Sequence, residues 1–384
     1  MRSGKSPTDI SYRIGLDIGT HSVKGVEIFE RGSELIIRAA QVVPIPNVSS
    51  PQEPPAPDAV VQAIKTMWSS GGFHCTKTVL ALPPESVYMK WLHLEASNPA
   101  ELEMTARAAA ARGAPFAAED LIVDYRVLLP RGRRGRNVHF VMLLAASSSA
   151  IDALLDLADS AGLEPVAVDV GLVAAARSIE DCSKRSSPLW SGQPRAHCIV
   201  GARNTTITVT RGDELEFART VPVGGNDFTA KIAEHLSLTW EEAERLKVSR
   251  GTRLLQNAEL ITSVGQQEVS IPCENVVGRL AREIQRSLRF FTSQYAEGSY
   301  LGMIGSTVLA GGGALLPGLD KALEHQGVEI SKIANPFAGF SVEARPGLQS
   351  IGEVAAQFIT AMGLAIGDYS ASGSRVNELS NAAA

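Results

Sequence analysis

Hydrophobic and polar residues alternate along the first structured stretch of the chain. From Ile14 to Ile45, short runs of β-branched and other apolar residues are interrupted at Gly19 and at Arg31-Gly32. Alternation with a period of two, bounded by turn residues, is typical of half-buried strands. The pattern therefore predicts three short strands joined by two turns, a β-meander.

The same pattern returns near position 195, from Ala196 to Gly225. Gly201 follows Gly19 by 182 residues, and the Arg211-Gly212 turn follows Arg31-Gly32 by 180. Two offsets that agree this closely predict a duplicated three-stranded unit, an internal repeat that bears on the whole fold. Chance similarity between two hairpins is the alternative.

Apolar residues at intervals of three and four predict amphipathic helices elsewhere. The expected helices start at Asp58, Asn98, Thr239 and Pro317, and a longer one carries Val276, Leu280, Ile284, Leu288 and Phe291. Asp58 is expected to cap the first helix, and Thr239 to form a capping box with Glu242. The prolines between positions 44 and 57 indicate a surface loop before the first helix, or alternatively a PxxP ligand.

Between the two repeats, separate strand and helix signals predict an inserted subdomain. They comprise apolar stretches at Thr78–Leu94, Leu121–Leu129 and Val138–Ala146, with a helix that ends at Gly113. The turn between the last two stretches holds Arg131, Arg133, Arg134 and Arg136. A solvated hairpin tip is one interpretation of this turn, and a contact with anionic lipid is the other.

Composition restricts the class of protein. A length of 384 residues suits two or three domains, and a hydrophobic fraction of 45% is that of an ordinary globular chain. The formal net charge of −5 gives no reason to expect a nucleic-acid partner. The four cysteines are isolated, so they fit neither a zinc site nor a disulfide framework. No apolar run is long enough for a membrane span. We therefore expect a cytoplasmic protein.

The first turn of the meander carries groups suited to phosphate. Asp17 ends the first strand, Gly19 allows the backbone to turn, and Thr20, Ser22 and Lys24 follow. Backbone N–H groups and hydroxyls in such a turn can hold phosphate, Lys24 can neutralise it, and Asp17 can bind Mg²⁺ directly or through water. A plain hairpin turn with a capping aspartate is the alternative.

Three further segments suit other parts of a nucleotide. They are the turn Gly201–Thr205, the helical pair Glu244 and Lys247, and the triple glycine Gly311–Gly313. The turn offers hydroxyls that could face the first loop across a cleft, and the helical pair offers an acceptor and a donor for a ribose. The glycines follow a predicted strand and leave room for a flat base.

These segments together resemble one known family. The motifs that carry the resemblance are IGLDIGTHSVKGVEI, RTVPVGGNDFT, EEAERLK, EIQRSLRFF and VLAGGGALLPGL, in family order between roughly residues 13 and 366. The chain is similar to the PilM family of type IV pilus assembly proteins, which belongs to the actin-like ATP-binding superfamily and is related to the cell-division protein FtsA. The resemblance implies an α/β, actin-like two-lobed fold of duplicated RNase H-like domains with an FtsA-type inserted subdomain.

Boundaries follow from the same resemblance. The first lobe would span residues 13–190 and contain the inserted subdomain at about 78–165. The second lobe would span 195–345, a helix at 350–367 would return to the first lobe, and 368–384 would form a flexible tail.

The resemblance also implies which residues bind MgATP. The first phosphate loop contributes Asp17, Gly19, Thr20, His21, Ser22 and Lys24, with Asp17 as the catalytic carboxylate and the Mg²⁺ ligand. The second contributes Gly201, Ala202, Asn204 and Thr205, and Gly224, Gly225 and Thr229 approach the nucleotide. Glu244 and Lys247 would contact ribose or adenine, with Gly311, Gly312, Gly313 and Leu316 beneath the base.

One position departs from the family pattern. Two residues before Gly201 the family has aspartate, whereas this chain has Ile199. Isoleucine neither accepts a hydrogen bond nor binds a metal, so we expect nucleotide binding with weak or absent hydrolysis. Replacement of the missing carboxylate by another, such as Asp169 acting through water, is the alternative.

The function that the resemblance implies is that of an ATP-binding scaffold in the inner-membrane complex of the type IV pilus. The implied partner is the N-terminal cytoplasmic tail of the inner-membrane protein PilN, whose binding would respond to nucleotide and would make membrane contact indirect. Other pilus components and self-association stay open as further partners. A small-molecule kinase of the same superfamily and an FtsA-like division filament are the alternatives.

Overall fold

The computed structural model of the chain describes residues 12–32, 34–46, 54–128, 137–186, 193–295, 303–343, 348 and 351–369. The arginine-rich turn at 131–136, part of the proline-rich stretch and nearly all of the expected tail lie outside these residues. Within the described ranges, no helix is both long and apolar enough to cross a membrane.

The described residues form strands and helices in mixed order. The strands are β1 (Tyr12–Ile18), β2 (Ser22–Arg31), β3 (Glu34–Pro44), β4 (Lys77–Leu82), β5 (Val87–Glu95), β6 (Leu121–Leu128), β7 (Val138–Ser147), β8 (Glu164–Val170), β9 (Arg195–Val200), β10 (Thr205–Arg211), β11 (Glu214–Val221), β12 (Arg253–Leu254), β13 (Glu259–Val264), β14 (Gln267–Pro272), β15 (Ser306–Ala310), β16 (Lys332–Ile333) and β17 (Ser341–Val342). The helices are α1 (Pro57–Gly71), α2 (Pro99–Gly113), α3 (Ser148–Ser160), α4 (Gly171–Ser186), α5 (Gly225–Leu236), α6 (Trp240–Lys247), α7 (Glu274–Thr292), α8 (Leu319–His325) and α9 (Ile359–Ala365), with a 3-10 helix at Ile351–Phe358.

Two sheets share one arrangement, which confirms the duplication. The first sheet has the order β17-β3-β2-β1-β4-β8, and the second has the order β11-β10-β9-β15-β16. In each, an antiparallel meander is joined by a strand parallel to its first member, β4 beside β1 and β15 beside β9. The turns at Gly32 and Gly212 both have positive φ, 66° and 60°, a conformation that costs glycine little. Each sheet is the centre of one lobe.

Helices cover both faces of the first sheet. On one face α1 and α3 pack over a core in which Ile64 is fully buried. On the other face α9 lies so close to β1 that a Cβ on Gly15 would be 2.0 Å from the carbonyl oxygen of Ala361. A Cβ on Gly363 of α9 would likewise be 1.8 Å from the carbonyl oxygen of Ala174 in α4. By these contacts α9 packs on the first sheet and on α4.

The second sheet has α5, α7, α8 and the small sheet β12-β13-β14 on one face and α4 on the other. A buried polar cluster joins α4 to this sheet. Glu180 of α4 accepts hydrogen bonds from Arg195 at 2.7 Å and from Thr210 at 2.5 Å, and it lies 3.3 Å from Nε2 of His197. Because α4 also contacts α9, one helix connects the cores of the two lobes.

A third sheet, β5-β7-β6, shares no strand with the other two and carries α2 on one face. The strands that precede and follow it, β4 and β8, pair with each other in the first sheet, whereas the insertion expected at about 78–165 included nearly all of β4 and the first two residues of β8. Proline cannot continue a strand ladder, and a 3-10 turn at Pro84–Ser86 redirects the chain after β4. The separate sheet therefore runs only from Val87 to Ser147.

Two helix starts followed the expected chemistry, and a third helix, expected to open at Pro317, begins two residues later at Leu319. Asn98 accepts a hydrogen bond from the N–H of Glu101 at 2.9 Å, and Thr239 forms the predicted capping box at α6. The prediction for Asp58 was wrong, because α1 begins at Pro57 and Asp58 lies in its first turn. Proline supplies the backbone angle that a first helical residue needs, so the helix starts without a side-chain cap.

Candidate functional site

The turn between β1 and β2 forms the first candidate phosphate loop, in which Thr20 is half-buried. Gly19 donates its N–H to the carbonyl oxygen of Ser22 at 3.1 Å. The Lys24 ammonium lies 3.4 Å from Asp17 Oδ2 and 3.2 Å from the Ser22 carbonyl oxygen. Both side chains keep some exposure, 20% for Asp17 and 12% for Lys24, so this turn presents one carboxylate and one ammonium.

The turn between β9 and β10 repeats this backbone geometry. Gly201 donates its N–H to the carbonyl oxygen of Asn204 at 2.9 Å. Thr205 is fully buried, and its hydroxyl donates to the carbonyl oxygen of Val223 at 2.7 Å. That bond connects β10 to the segment before α5, and a contact of Thr205 with phosphate stays a prediction.

The first turn of α5 is bonded directly to this second loop. The N–H of Gly225 donates to the carbonyl oxygen of Gly201 at 2.9 Å, and the N–H of Asn226 donates to that of Ala202 at 2.7 Å. A Cβ on Gly224 would lie 2.5 Å from the Ala202 carbonyl oxygen. Glycine at this position therefore permits the loop and the helix start to form one unit.

Glu244 and Lys247 of α6 form an ion pair behind this loop, as their spacing predicted. The Lys247 ammonium donates to Glu244 Oε2 at 2.6 Å, to the hydroxyl of buried Thr229 at 2.8 Å and to the carbonyl oxygen of Gly225 at 3.2 Å. Burial lowers the pKa of Lys247. Burial acts to raise the pKa of Glu244, but Lys247 and Thr229 outweigh it and hold that pKa below its usual range. The carboxylate is therefore ionised at neutral pH.

His21 of the first loop faces this pair from the other lobe. Its Nε2 lies 3.6 Å from Glu244 Oε1, which is longer than a hydrogen bond. Burial lowers the pKa of His21, although Glu244 acts in the opposite direction, so the imidazole is neutral at pH 7. This contact brings the first loop and α6 together across the interlobe cleft.

The triple glycine follows β15 and packs beside the end of β9. Gly311 has a φ of 85°, and a Cβ there would be 2.4 Å from the carbonyl oxygen of Val200. A Cβ on Gly313 would be 2.3 Å from Cγ1 of the same valine, whereas Gly312 borders open space. Leu316 is buried in the second-lobe core, where its side chain packs against other apolar residues.

Ile199 and Asp169 both lie near the junction of the lobes. Ile199 is half-buried and packs against an apolar cluster formed by Ala175, Ile179, Val308, Ala310, Ala334 and Ile359. Asp169 accepts hydrogen bonds from Arg177 at 2.9 Å and from the hydroxyl of Tyr369 at 2.8 Å. The Asp169 carboxylate is thus engaged in joining α4 to the segment after α9.

Asp227 is a further residue of this region, which was not among the predicted site residues. This carboxylate accepts a hydrogen bond from the N–H of Gly224 at 2.8 Å and pairs with Arg279 of α7, which fixes the start of α5. The signal was present in GGNDFT, because an acidic residue three positions after a helix N-cap is half of a capping box.

The described residues fit MgATP in their chemistry. The first loop supplies an ammonium and a carboxylate, Glu244 Oε1 faces the cleft, and Gly312 leaves space. Mg²⁺ retains several waters and takes other ligands from phosphate, so one carboxylate suffices on the protein side. In the part of the chain that the structure describes, no group of three or more metal-binding side chains forms a site by itself.

FtsA proteins are partial relatives of this chain. FtsA of Agrobacterium fabrum (strain C58 / ATCC 33970) is 28% identical over 158 residues, which is 38% of this chain and 36% of that protein. FtsA of Streptococcus pneumoniae serotype 2 is 26% identical over 254 residues, 63% of this chain and 54% of that protein. The chain thus spans about a third to a half of the length of these relatives.

A second comparison covers nearly the whole chain. A solved PilM-PilN type IV pilus biogenesis complex contains a chain that is 25% identical, with a TM-score of 0.71 and coverage of 92% of this chain and 97% of that one. This similarity confirms the expected actin-like two-lobed fold. Residues 15–369 match the family described as type IV pilus assembly protein PilM. By that match, the chain belongs to the PilM family of type IV pilus assembly proteins.

Proposed function

We propose that this protein is a cytoplasmic scaffold of the type IV pilus inner-membrane complex, which binds MgATP between its lobes and binds the N-terminal cytoplasmic tail of PilN. The observation that carries the proposal is the similarity to a chain of the PilM-PilN complex over 92% of this protein and 97% of that chain. Little of either chain lies outside the shared fold. Membrane association would then be indirect, through PilN.

The nucleotide part of the proposal is supported by the geometry of the cleft. Two turns of like backbone geometry, at Gly19 and Gly201, belong to different lobes, and His21 faces Glu244 between them. A ligand that contacts both lobes favours one lobe arrangement over others. PilN can respond to the nucleotide only by preferring one of those arrangements, so its binding should depend on nucleotide.

Under this proposal the protein acts by positioning its partner and does not depend on ATP hydrolysis. Ile199 supplies no carboxylate to orient water or hold a metal, and Asp169 is engaged by Arg177 and Tyr369. ATP should therefore be bound with little turnover.

Lys24→Ala tests the phosphate assignment. A point charge acts on phosphate, so the substitution should weaken ATP binding by roughly tenfold or more and leave adenosine binding almost unchanged. Lys184→Ala is the matched control, because Lys184 also pairs with an aspartate but lies at the end of α4. Calorimetry gives both dissociation constants, and equal losses for ATP and adenosine would reject the assignment.

A synthetic peptide with the sequence of the PilN tail tests the partner. Fluorescence anisotropy should give a micromolar dissociation constant, about −8 kcal/mol, with different values for ATP-loaded and nucleotide-free protein. A scrambled peptide is the control. No binding in either state would reject the scaffold, whereas equal binding in both states would keep the partner and reject its dependence on nucleotide.

A further inference from the structure

Three arginines form a row on the exposed side of α7. This arginine row consists of Arg282, Arg286 and Arg289, which lie four and three positions apart. The spacing puts them on one face of the helix, about 6 and 4.5 Å apart along its axis. All three are exposed, and their side chains form no ion pair or hydrogen bond with a residue that the structure describes. By contrast, Arg279 of the same helix pairs with Asp227.

The first lobe carries a row of the opposite charge on α3. This aspartate row consists of Asp152, Asp156 and Asp159, which are again four and three positions apart. All three are exposed, and among the described residues none is a partner of their carboxylates. Lysine and arginine are absent from α3, so nothing on the helix balances the row. The two rows therefore match in number, spacing and exposure and differ in the sign of their charge.

The two rows lie on opposite sides of the molecule. The helix α3 covers one face of the first sheet, and α9 covers the other. The helix α4 contacts α9 and covers one face of the second sheet, and α7 covers the other. Two sheets and two helices thus separate the rows, which cannot meet within one chain. They can meet between two copies, with α3 of one copy against α7 of the next.

We propose that copies of this chain associate head to tail, with the aspartate row of one copy on the arginine row of the next. Arginine and carboxylate can form two parallel hydrogen bonds, which adds geometric specificity to each pair. Phe290 lies beside the arginine row and is 59% exposed, so it adds apolar area to a contact of charged groups. This proposal goes beyond the nucleotide and PilN sites and rests on neither.

The position of the rows determines what kind of assembly forms. The contacting surfaces differ, so a copy that uses its arginine row still presents its aspartate row to another copy. Such heterologous contacts generate a ring if the rotation between copies closes and a filament if it does not.

The contact should be weak and sensitive to salt. Ion pairs between exposed side chains contribute little individually, and salt screens them. Three pairs at matching intervals are nevertheless satisfied together in only one register. The rows therefore determine which surfaces meet more than how tightly they bind.

Sedimentation velocity over a concentration series tests the contact. The weight-average sedimentation coefficient of the wild-type protein should rise with concentration in about 50 mM salt and stay at the monomer value in about 500 mM. One variant reverses the arginine row by Arg282→Glu, Arg286→Glu and Arg289→Glu. A second variant reverses the aspartate row by Asp152→Lys, Asp156→Lys and Asp159→Lys. Each variant alone should associate roughly tenfold or more weakly than the wild-type protein, because like charges now face each other.

An equimolar mixture of the two variants should associate again. In the mixture, each reversed row meets a reversed row of opposite charge, and each unchanged row meets an unchanged one. A matched control reverses three exposed glutamates on other surfaces and should associate as the wild-type protein does: Glu95→Lys, Glu119→Lys and Glu241→Lys. Thermal melting checks that each variant is folded. For a row whose reversal unfolds the protein, Arg→Gln or Asp→Asn at the same positions should weaken association without rescue in the mixture.

Three outcomes would overturn the proposal. The first is a wild-type protein that stays monomeric at every concentration in low salt. The second is association that survives reversal of either row, and the third is a mixture that stays monomeric when each variant does. A monomeric wild-type protein that binds phosphatidylglycerol vesicles through the arginine row would assign that row to a membrane surface instead. None of these outcomes affects the proposed binding of nucleotide or PilN.

Discussion

Trp91 of the third sheet donates its indole N–H to the carbonyl oxygen of Leu215 in the second lobe at 2.9 Å. Around this bond, the face of the third sheet opposite α2 packs on Leu172 of α4 and on Leu215 itself. The sheet inserted in the first lobe therefore also contacts the second. A change in lobe arrangement must either break this contact or move the inserted sheet.

Trp91→Phe should remove the hydrogen bond while keeping an aromatic ring in the apolar cluster. We expect the free energy of unfolding to fall by about 1 kcal/mol in urea titrations. The difference in PilN-peptide affinity between ATP-loaded and nucleotide-free protein should also shrink. Trp68→Phe is the control, because Trp68 makes a like bond to Cys75 at 3.0 Å within the first lobe. A peptide response that survives in Trp91→Phe would mean that coupling does not use this contact.

Asp17→Asn should weaken the binding of MgATP by roughly tenfold or more, because an amide is a poor ligand for Mg²⁺ or its waters. The binding of ATP without Mg²⁺ should weaken much less. Calorimetry with and without Mg²⁺ measures both. Asp213→Asn is the control. Asp213 pairs with Lys184 in the same way as Asp17 pairs with Lys24, but Asp213 lies in the β10–β11 turn. The same loss in both conditions would make Asp17 a structural cap.

Ile199→Asp should raise ATP turnover above the wild-type level, because it places a carboxylate at the position where the resemblance implies one. The side chain is half-buried against apolar residues of α4, β15 and α9, so we expect a cost of about 2 to 4 kcal/mol in unfolding free energy. Ile199→Asn should cost a similar amount without raising turnover. A folded Ile199→Asp protein with wild-type turnover would contradict the explanation of weak hydrolysis.

Acid should destabilise the protein through His197. This side chain is fully buried beside Glu180, and burial lowers its pKa below the usual 6.5 although Glu180 acts in the opposite direction. The unfolded chain takes up a proton as the pH falls through 6.5 while the folded protein does not. The unfolding free energy should therefore be steady above pH 7 and fall below pH 6.5, by up to about 1.4 kcal/mol per pH unit.

His197→Gln should flatten this slope in urea titrations between pH 7.5 and 5.5. His21→Gln is measured beside it, because the pKa of His21 is lowered too and acts with the same sign. The lowered pKa of Glu180 affects stability only below its usual range, near 4.5, which lies outside this window. A wild-type slope that persists in His197→Gln would assign the acid sensitivity to other groups.

Local patterns predicted the elements that depend on neighbouring residues. The two meanders could be predicted from the alternation of apolar and polar residues and from the glycines in their turns. The Glu244 and Lys247 pair could be predicted because the two residues are three positions apart on a helix. The meeting of His21 with Glu244 could not be predicted, since the two residues are far apart in sequence and lie in different lobes. Parallel pairing likewise has no local signature, which is why β4 was assigned to the insertion although it pairs with β1.

The packing of α9 on β1 has a consequence for synthesis of the chain. The second sheet and the helices on its outer face lie between residues 195 and 333, so most of the core of this lobe can form while translation continues, and Ala356 and Ile359 join it later. The strands β1 and β2 emerge from the ribosome first, yet their inner face stays uncovered until residue 365 has left the exit tunnel. The half of the protein that is made first thus cannot complete its packing until the last described helix has been made.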